Sequence, residues 1–159
     1  MKRTQGLGLL MTLAVLMSAC GLFDKVSKPD KLISPEAAPT VRSEVSVVAQ
    51  PSTNRGAVLH LMLTRVDPKG AAGSYDEEAA RFAASPADES IVATRLVLPG
   101  QSLTIPIKVA ADQAVAAAFF FTQPGASWRV VLPQPLPSRV SIVLGTDGVD
   151  TIEVPEREP

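Results

Sequence analysis

The sequence predicts an all-β domain, an antiparallel β-sandwich of seven or eight short strands, and three observations lead to this fold class. Short apolar runs with period-two alternation recur from about residue 41 onward. Turns rich in proline, glycine and aspartate separate these runs. One run, Val115 to Phe121, is continuously apolar, as expected for a strand that is covered on both faces. Together these features are typical of two packed sheets.

The individual runs also predict which strands lie at an edge and which residues share a face. Leu59, Leu61 and Leu63 form one face of the second run, and His60 lies on the other face. Pro106 interrupts the run from Leu103 to Val109, and proline cannot donate to a ladder, so this strand should be at an edge or bulged. The remaining runs are Val45–Ala49, Leu96–Leu98, Trp128–Leu132, Val140–Leu144 and Thr151–Val154, the last two joined by an Asp147-Gly148 turn.

One segment breaks the strand rhythm and predicts a short helical insertion. Residues 76–84 are good helix formers, Ser74 or Asp76 can cap their start, and Pro86 follows their end. The helix lies in a long connection, roughly residues 67 to 90. Connections of this length are often functional. A lid over an open edge of the sandwich is an equal alternative.

The start of the chain has the pattern of an export signal. Lys2 and Arg3 precede an uncharged apolar run, Leu7–Met17, which is too short to span a bilayer. The residues ending in Ala19 and Cys20 resemble the lipobox of bacterial lipoproteins. That resemblance implies cleavage between Ala19 and Cys20 and acylation of Cys20. The alternative is an ordinary signal peptide with a chance thiol. Cys20 is the only cysteine, and a lone exposed thiol is a liability in an oxidising compartment.

The lipoprotein pattern divides the chain into four parts and indicates a membrane. They are the signal peptide at 1–19, the lipidated N-terminus and flexible tether at 20–40, the sandwich at 41–155 and a tail at 156–159. The tether segment contains three prolines and no apolar periodicity, and a coil of this length spans about 25 Å. In bacterial lipoproteins, Asp after the lipidated Cys tends to retain the protein in the inner membrane. Gly21 stands here, which implies the outer membrane with the domain facing the periplasm.

Charge and composition disfavour several classes of function. Cleavage removes two of the 15 basic residues and none of the 16 acidic ones, so the mature side-chain charge is −3 (13 − 16). This balance does not indicate a nucleic-acid binder. His60 is the only histidine, so a zinc site built on several His or Cys ligands is excluded by count. There is no phosphate-binding glycine loop. We therefore expect no catalysis, no metal and no cofactor beyond the covalent lipid on Cys20.

Several elements together resemble the TssJ (VasD) lipoproteins of the type VI secretion system. They are Leu96–Ser102, Ile105–Ile107, the alanine-rich strand before Pro124-Gly125, and Trp128–Val131, and the resemblance covers about residues 44 to 145. The resemblance implies a transthyretin-like sandwich with a small helical insertion. It also implies an outer-membrane protein, without a small-molecule substrate, that binds the periplasmic domain of the inner-membrane protein TssM and so links the two membranes.

In that family the loop between the first two strands makes much of the contact with TssM. The matching residues here are Ser52, Thr53, Asn54, Arg55 and Gly56, after Pro51. A plain hairpin turn is the alternative interpretation of this loop. Trp128 is expected in the core or half-buried rather than as a ligand platform. The rival functions are a small-molecule carrier with a cavity between the sheets, another envelope-assembly lipoprotein, and an envelope enzyme that uses His60.

Overall fold

The computed structural model describes residues 39–67, 73–84 and 88–155. The predicted signal peptide, Cys20, Gly21, nearly all of the tether and the tail lie outside these residues. Within the described ranges the chain forms eight strands and one α-helix. In chain order they are β1 (Thr40–Ala49), β2 (Leu59–Val66), α1 (Tyr75–Ala83), β3 (Ile91–Val97), β4 (Ser102–Ala110), β5 (Ala114–Phe120), β6 (Arg129–Val131), β7 (Arg139–Leu144) and β8 (Val149–Glu153).

The strands form two sheets of four strands each, as the sequence predicts. The first sheet has the order β4-β1-β7-β8 and the second has the order β3-β2-β5-β6. Neighbouring strands are antiparallel except for β1 and β7, which pair in parallel from Glu44–Arg139 to Ala49–Leu144. The predicted antiparallel sandwich is confirmed, and the β1–β7 pair is a parallel exception within it. Two parallel neighbouring strands need a long connection along the chain. Here the connection from β1 to β7 contains β2 to β6, which form the second sheet and the β4 edge of the first sheet.

The inner faces of the two sheets build the core with the predicted period of two. Val45 and Val47 of β1 and Leu59, Leu61 and Leu63 of β2 are all buried in it. The buried core residues contributed by β4, β5 and β7 are Ile105, Ile107, Val109, Val115, Ala117, Phe119, Val140, Ile142 and Leu144. Pairs of adjacent sheets pack about 10 Å apart, and interdigitated side chains of this kind fill that layer.

Strand β5 is buried on both faces. Val115, Ala117 and Phe119 point into the core, whereas Ala114, Ala116 and Ala118 are buried on the outer face. Met62 and Thr64 of β2 are buried on the same outer face. The helix α1 covers this face, because its Tyr75 and Phe82 rings lie 5.9 and 5.0 Å from the Phe120 ring. The helical insertion is thus a cover over a sheet face rather than over an open sheet edge.

A capping box fixes the start of α1. The hydroxyl oxygen of Ser74 accepts a bond from the Glu77 amide at 3.3 Å, and Glu77 Oε2 accepts one from the Ser74 amide at 2.7 Å. Of the two predicted caps, Ser74 takes the position and Asp76 lies in the first turn. The predicted stop signal, Pro86, lies outside the described residues. Within those residues, no helix combines the length and the apolar character needed to cross a bilayer.

Two local predictions about edges and turns are confirmed. Strand β4, which contains Pro106, is an edge strand of the first sheet. Proline has no N–H to donate, and at this edge no neighbouring strand needs that donor. Asp147 and Gly148 lie in the turn that joins β7 to β8 as an antiparallel hairpin, closed by a bond from the Gly145 amide to the Gly148 carbonyl at 2.9 Å.

The capping box generates a prediction about pH. Bonds from Ser74, its backbone amide first and its side chain second, lower the pKa of the Glu77 carboxyl. Because the folded-state pKa is the lower one, the contribution of this bond is complete above the unfolded-state pKa. It is lost as the pH falls through the folded-state pKa. An NMR titration of the Glu77 side-chain carbon should therefore give a midpoint below the usual glutamate range.

The control variant Ser74→Ala removes the hydroxyl and should move the Glu77 midpoint upward. Glutamine can also close a capping box, so Glu77→Gln should keep α1 folded with no pH dependence from this site. A wild-type midpoint at or above the ordinary glutamate pKa would contradict the assignment.

Candidate functional site

The loop that the sequence singles out, Pro51–Gly56, connects the two sheets. It follows β1 of the first sheet and leads to β2 of the second sheet. The hairpin-turn interpretation is therefore wrong, because β1 and β2 do not pair with each other. The turn is compact, and Asn54, Arg55 and Gly56 have φ values of 50°, 54° and 82°. Three consecutive left-handed residues reverse the chain within one short turn, at a steric cost that glycine avoids and asparagine tolerates.

Two of the five candidate contact residues hold this loop in place. The Thr53 hydroxyl donates to the Leu144 carbonyl at 2.9 Å. Asn54 Nδ2 donates to the Val58 carbonyl at 2.9 Å, and Asn54 Oδ1 accepts from the Thr122 amide at 2.7 Å. Both side chains are buried, with 0% and 3% of their surfaces exposed. The loop is thus fastened to the ends of β7 and β5, and these two side chains have a structural role.

The other three candidates, Ser52, Arg55 and Gly56, are exposed. The Arg55 amide is used within the turn, donating to the Ser52 carbonyl at 2.9 Å, while its guanidinium group is free to project from it. The loop therefore presents one positive charge to solvent on a backbone that its neighbours fix. The prediction that these residues contact a partner stays a prediction, and the burial of Thr53 and Asn54 limits it to the exposed three.

The β3–β4 turn lies directly beside this loop, which the sequence interpretation did not anticipate. The Gly100 amide donates to the Gln50 carbonyl at 3.2 Å, and the Ala49 amide donates to the Gln101 carbonyl at 3.0 Å. Gly100 has a φ of 75°, and a Cβ built there would lie 3.9 Å from Pro51, so the two turns are in close contact. The two turns form one continuous end of the sandwich.

A charged cluster fastens the helix to the second sheet on its other side. The buried Glu78 carboxylate lies 3.4 Å from Arg81 Nη1 and 3.9 Å from Arg129 Nε. Arg81 also contacts Asp88, with Nε and Oδ2 3.4 Å apart. The Ser90 side chain, and to a smaller extent a bond from the Ser90 amide, lower the pKa of the Asp88 carboxyl. The two guanidinium groups compensate the negative charge of the buried Glu78 carboxylate, so Arg81 and Arg129 both have a structural role.

The cavity found beside this cluster does not suit an apolar ligand. It has a volume of about 320 Å³ and opens between the end of β2, the helix and the start of β3. Its lining includes Arg65, Asp67, Glu78, Arg81, Ser90 and Arg129. A carrier for small apolar molecules needs an apolar pocket with a few convergent polar groups. The space between the sheets is instead filled by core side chains, including Phe119 and Phe121.

The only histidine lies in an aromatic contact on the outer face of the second sheet. His60 is exposed, and its ring lies 4.8 Å from the Phe82 ring at an angle of 49°. Among residues 39–67, 73–84 and 88–155 there is no group of three or more His, Cys, Asp or Glu residues that could hold a metal ion. This contact gives His60 a packing role against the helix, which is the ordinary interpretation of a polar residue on a strand face.

Trp128 and Tyr75 join the helix to the end of β6. Trp128 is half-buried against the core, as predicted, and its ring meets the Tyr75 ring edge-on at 5.1 Å. Arg129 points to the opposite face toward Glu78, which is also as predicted. The Tyr75 hydroxyl donates to the Phe121 carbonyl at 2.6 Å. Burial, followed by the nearby Asp76 charge, raises the pKa of Tyr75, so this donor keeps its proton at neutral pH.

We expect different effects from glycine at the two neighbouring left-handed residues. Asn54→Ala removes two bonds to backbone groups and leaves a β-carbon in the left-handed region, so unfolding should become easier by about 2–4 kcal/mol. Asn54→Gly loses the same bonds without the backbone strain and should cost less. Arg55→Gly loses no buried contact and relieves strain, so stability should change by less than about 1 kcal/mol. Urea unfolding measures all three.

Equal losses of stability in Asn54→Gly and Arg55→Gly would contradict the distinction between a buried fastening residue and an exposed one.

A family model described as the N-terminal domain of IglE matches residues 60–144 of this chain. The match begins in β2 and ends with the last residue of β7, so it includes the helix and six strands. Among curated proteins, no sequence matches the chain.

Three solved structures have the same fold. The type VI secretion lipoprotein TssJ1 from Pseudomonas aeruginosa is 21% identical, with a TM-score of 0.51, over 76% of this chain and 100% of that chain. Serratia marcescens Lip, a membrane-bound component of the type VI secretion system, is 18% identical, with a TM-score of 0.53, over 69% and 95%. A structure of the TssM C-terminal domain from EAEC contains a chain that is 20% identical, with a TM-score of 0.51, over 71% and 98%.

The structural matches show the fold, and the family model shows the relationship. The predicted resemblance to TssJ lipoproteins is confirmed. Because the matched residues make up more than half of its length, the chain belongs to the family of the IglE N-terminal domain, and it has the fold of the type VI secretion lipoprotein TssJ1 and of Lip, a membrane-bound component of the type VI secretion system.

Proposed function

We propose that this protein is an outer-membrane lipoprotein of the type VI secretion membrane complex, whose sandwich binds the periplasmic domain of the inner-membrane protein TssM. The observation that carries the proposal is the fold together with the family. Nearly the full lengths of TssJ1 and Lip are matched by this sandwich and its helix, and both are type VI secretion lipoproteins or membrane-bound components. A structure of the TssM C-terminal domain among the fold matches supports TssM as the partner.

The membrane end of this bridge is the lipid on Cys20. Each buried methylene group contributes about 0.8 kcal/mol, so one acyl chain holds a protein marginally and several chains hold it firmly. Gly21, in place of the retaining Asp, directs the lipoprotein to the outer membrane in this proposal. The sandwich then faces the periplasm at the end of its tether.

The partner end is the loop that carries Arg55. Thr53 and Asn54 fix this loop before binding, through bonds to the ends of β7 and β5. A loop that is already ordered loses little conformational entropy on association, which favours tight binding. The role is therefore to join proteins and membranes, and we assign no catalytic step and no cofactor to this chain.

Arg55→Glu should weaken binding of the mature lipoprotein to the periplasmic domain of TssM by about tenfold or more, because it reverses the exposed charge of the contact loop. Biolayer interferometry with the TssM domain immobilised measures the change. Arg42→Glu is the matched control, since it makes the same reversal on the exposed outer face of the first sheet, and should leave affinity unchanged. If the wild-type lipoprotein does not bind TssM, and secretion persists after deletion, the proposed function is wrong.

Cys20→Ser should abolish labelling by radioactive fatty acid and leave an uncut or soluble protein, because the acceptor sulfur is gone. Membrane fractionation of labelled cells measures both effects. Gly21→Asp is the matched variant: it should keep the label and shift the protein from the outer to the inner membrane. Continued labelling of Cys20→Ser would refute the assignment of the anchor.

A further inference from the structure

Three exposed apolar side chains gather beside the loop that carries Arg55. Val58, Leu96 and Leu98 have 49%, 58% and 43% of their surfaces exposed. In the β2–β3 pairing Leu59 lies opposite Val97, and both are buried in the core. Because side chains alternate along a strand, the three exposed residues that flank this pair share the outer face of the second sheet. Large exposed side chains that cluster in this way indicate an interaction surface.

This cluster is continuous with the contact loop. Asn54 donates to the carbonyl of Val58 itself, and the loop at Gln50 accepts a bond from Gly100, two residues after Leu98. Strand β3 is an edge of the second sheet, so among the described strands none covers its far side. The apolar residues and the exposed loop residues therefore face solvent at the same end of the sandwich.

The same surface lacks negative charge, although the whole chain does not. The two segments that build it, residues 45–66 and 90–111, contain no Asp or Glu, whereas the chain has 16. The loop adds an exposed arginine here, Arg55, whereas Arg95 of β3 lies opposite the core residue Leu61 and so is on the other face of the sheet. Asp150 of β8, which accepts a bond from Gln50 at 3.4 Å, is an acid at the border. The surface is thus apolar with one positive charge beside it.

We propose that Val58, Leu96 and Leu98, with Arg55, form a single docking surface, named here the Leu96 surface. Its occupant is the periplasmic protein domain of the proposed function, so the inference rests on that function. The complementary partner surface has apolar side chains flanked by carboxylates. The apolar residues supply most of the affinity, and Arg55 contributes to orientation and association rate.

The chemistry of the Leu96 surface favours a protein partner over a lipid bilayer or a second copy. Membrane-surface sites combine clusters of about four to eight basic residues with interfacial Trp or Tyr. This surface has one arginine, and Trp128 and Tyr75 contact each other elsewhere. A symmetric pair of copies would place the same patch against itself and bring the positive charges of the two copies together.

The test compares Leu96→Gln and the double variant Leu96→Gln/Leu98→Gln with variants at two equally exposed valines. Val131 and Val154 have 47% and 43% of their surfaces exposed and lie on β6 and after β8, away from the Leu96 surface. Binding of each mature lipoprotein to the periplasmic domain of TssM is measured by calorimetry. We expect a loss of about tenfold for Leu96→Gln and about a hundredfold for the double variant, with Val131→Gln and Val154→Gln unchanged. Circular dichroism checks that every variant keeps its fold.

Each outcome decides the inference. If Arg55→Glu weakens binding while the leucine variants bind as the wild type does, the loop alone is the contact; the Leu96 surface is then refuted and the proposed function stands. If the wild type does not bind TssM, the inference fails, and if secretion also persists after deletion of the gene, the proposed function fails with it. Two results would reassign the surface and overturn the inference: co-sedimentation of the non-acylated protein with phosphatidylglycerol vesicles that Leu96→Gln abolishes, or self-association that Leu96→Gln abolishes.

Discussion

The double-sided burial of β5 is the constraint on which the rest of the structure depends. A strand of this composition, with Val115 and Phe119 on one face and alanines on the other, exposes apolar surface unless both faces are covered. The first sheet covers the inner face. The outer face requires a further element, and α1 meets that need with Tyr75 and Phe82. The small alanine side chains let the helix approach the sheet closely.

The position of the helix also determines what remains uncovered. The Glu78 cluster and the bond from Tyr75 to the Phe121 carbonyl fasten it over the middle of the second sheet. Among residues 39–67, 73–84 and 88–155, none covers the β3 edge beyond His60 in this way, and Leu96 is exposed there. The same packing that completes the fold leaves one end of the sandwich open, next to the only loop in which three consecutive described residues have left-handed backbone.

Sequence patterns predicted well which face of each strand is buried, but they predicted poorly which strands pair with each other. Alternation along β1, β2, β4 and β7 identified the core side correctly, and Pro106 identified an edge, because both are local consequences of strand geometry. The parallel pairing of β1 with β7 could not be predicted this way, since period-two alternation carries no information about which strand lies alongside. The same limit applies to Asn54. Its sequence context resembles an exposed turn, and only tertiary bonds to Val58 and Thr122 show that its side chain is buried.

The central place of β1 in the first sheet has a mechanical consequence. In the proposed bridge, the tether would enter the domain at Thr40 and the partner would bind the loop after Ala49, so the two attachment points would lie at opposite ends of a strand about 33 Å long. Tension between two membranes would thus run along β1, which is paired with β4 on one side and β7 on the other. A force in this direction loads both ladders in shear, so that many hydrogen bonds resist together instead of opening one after another.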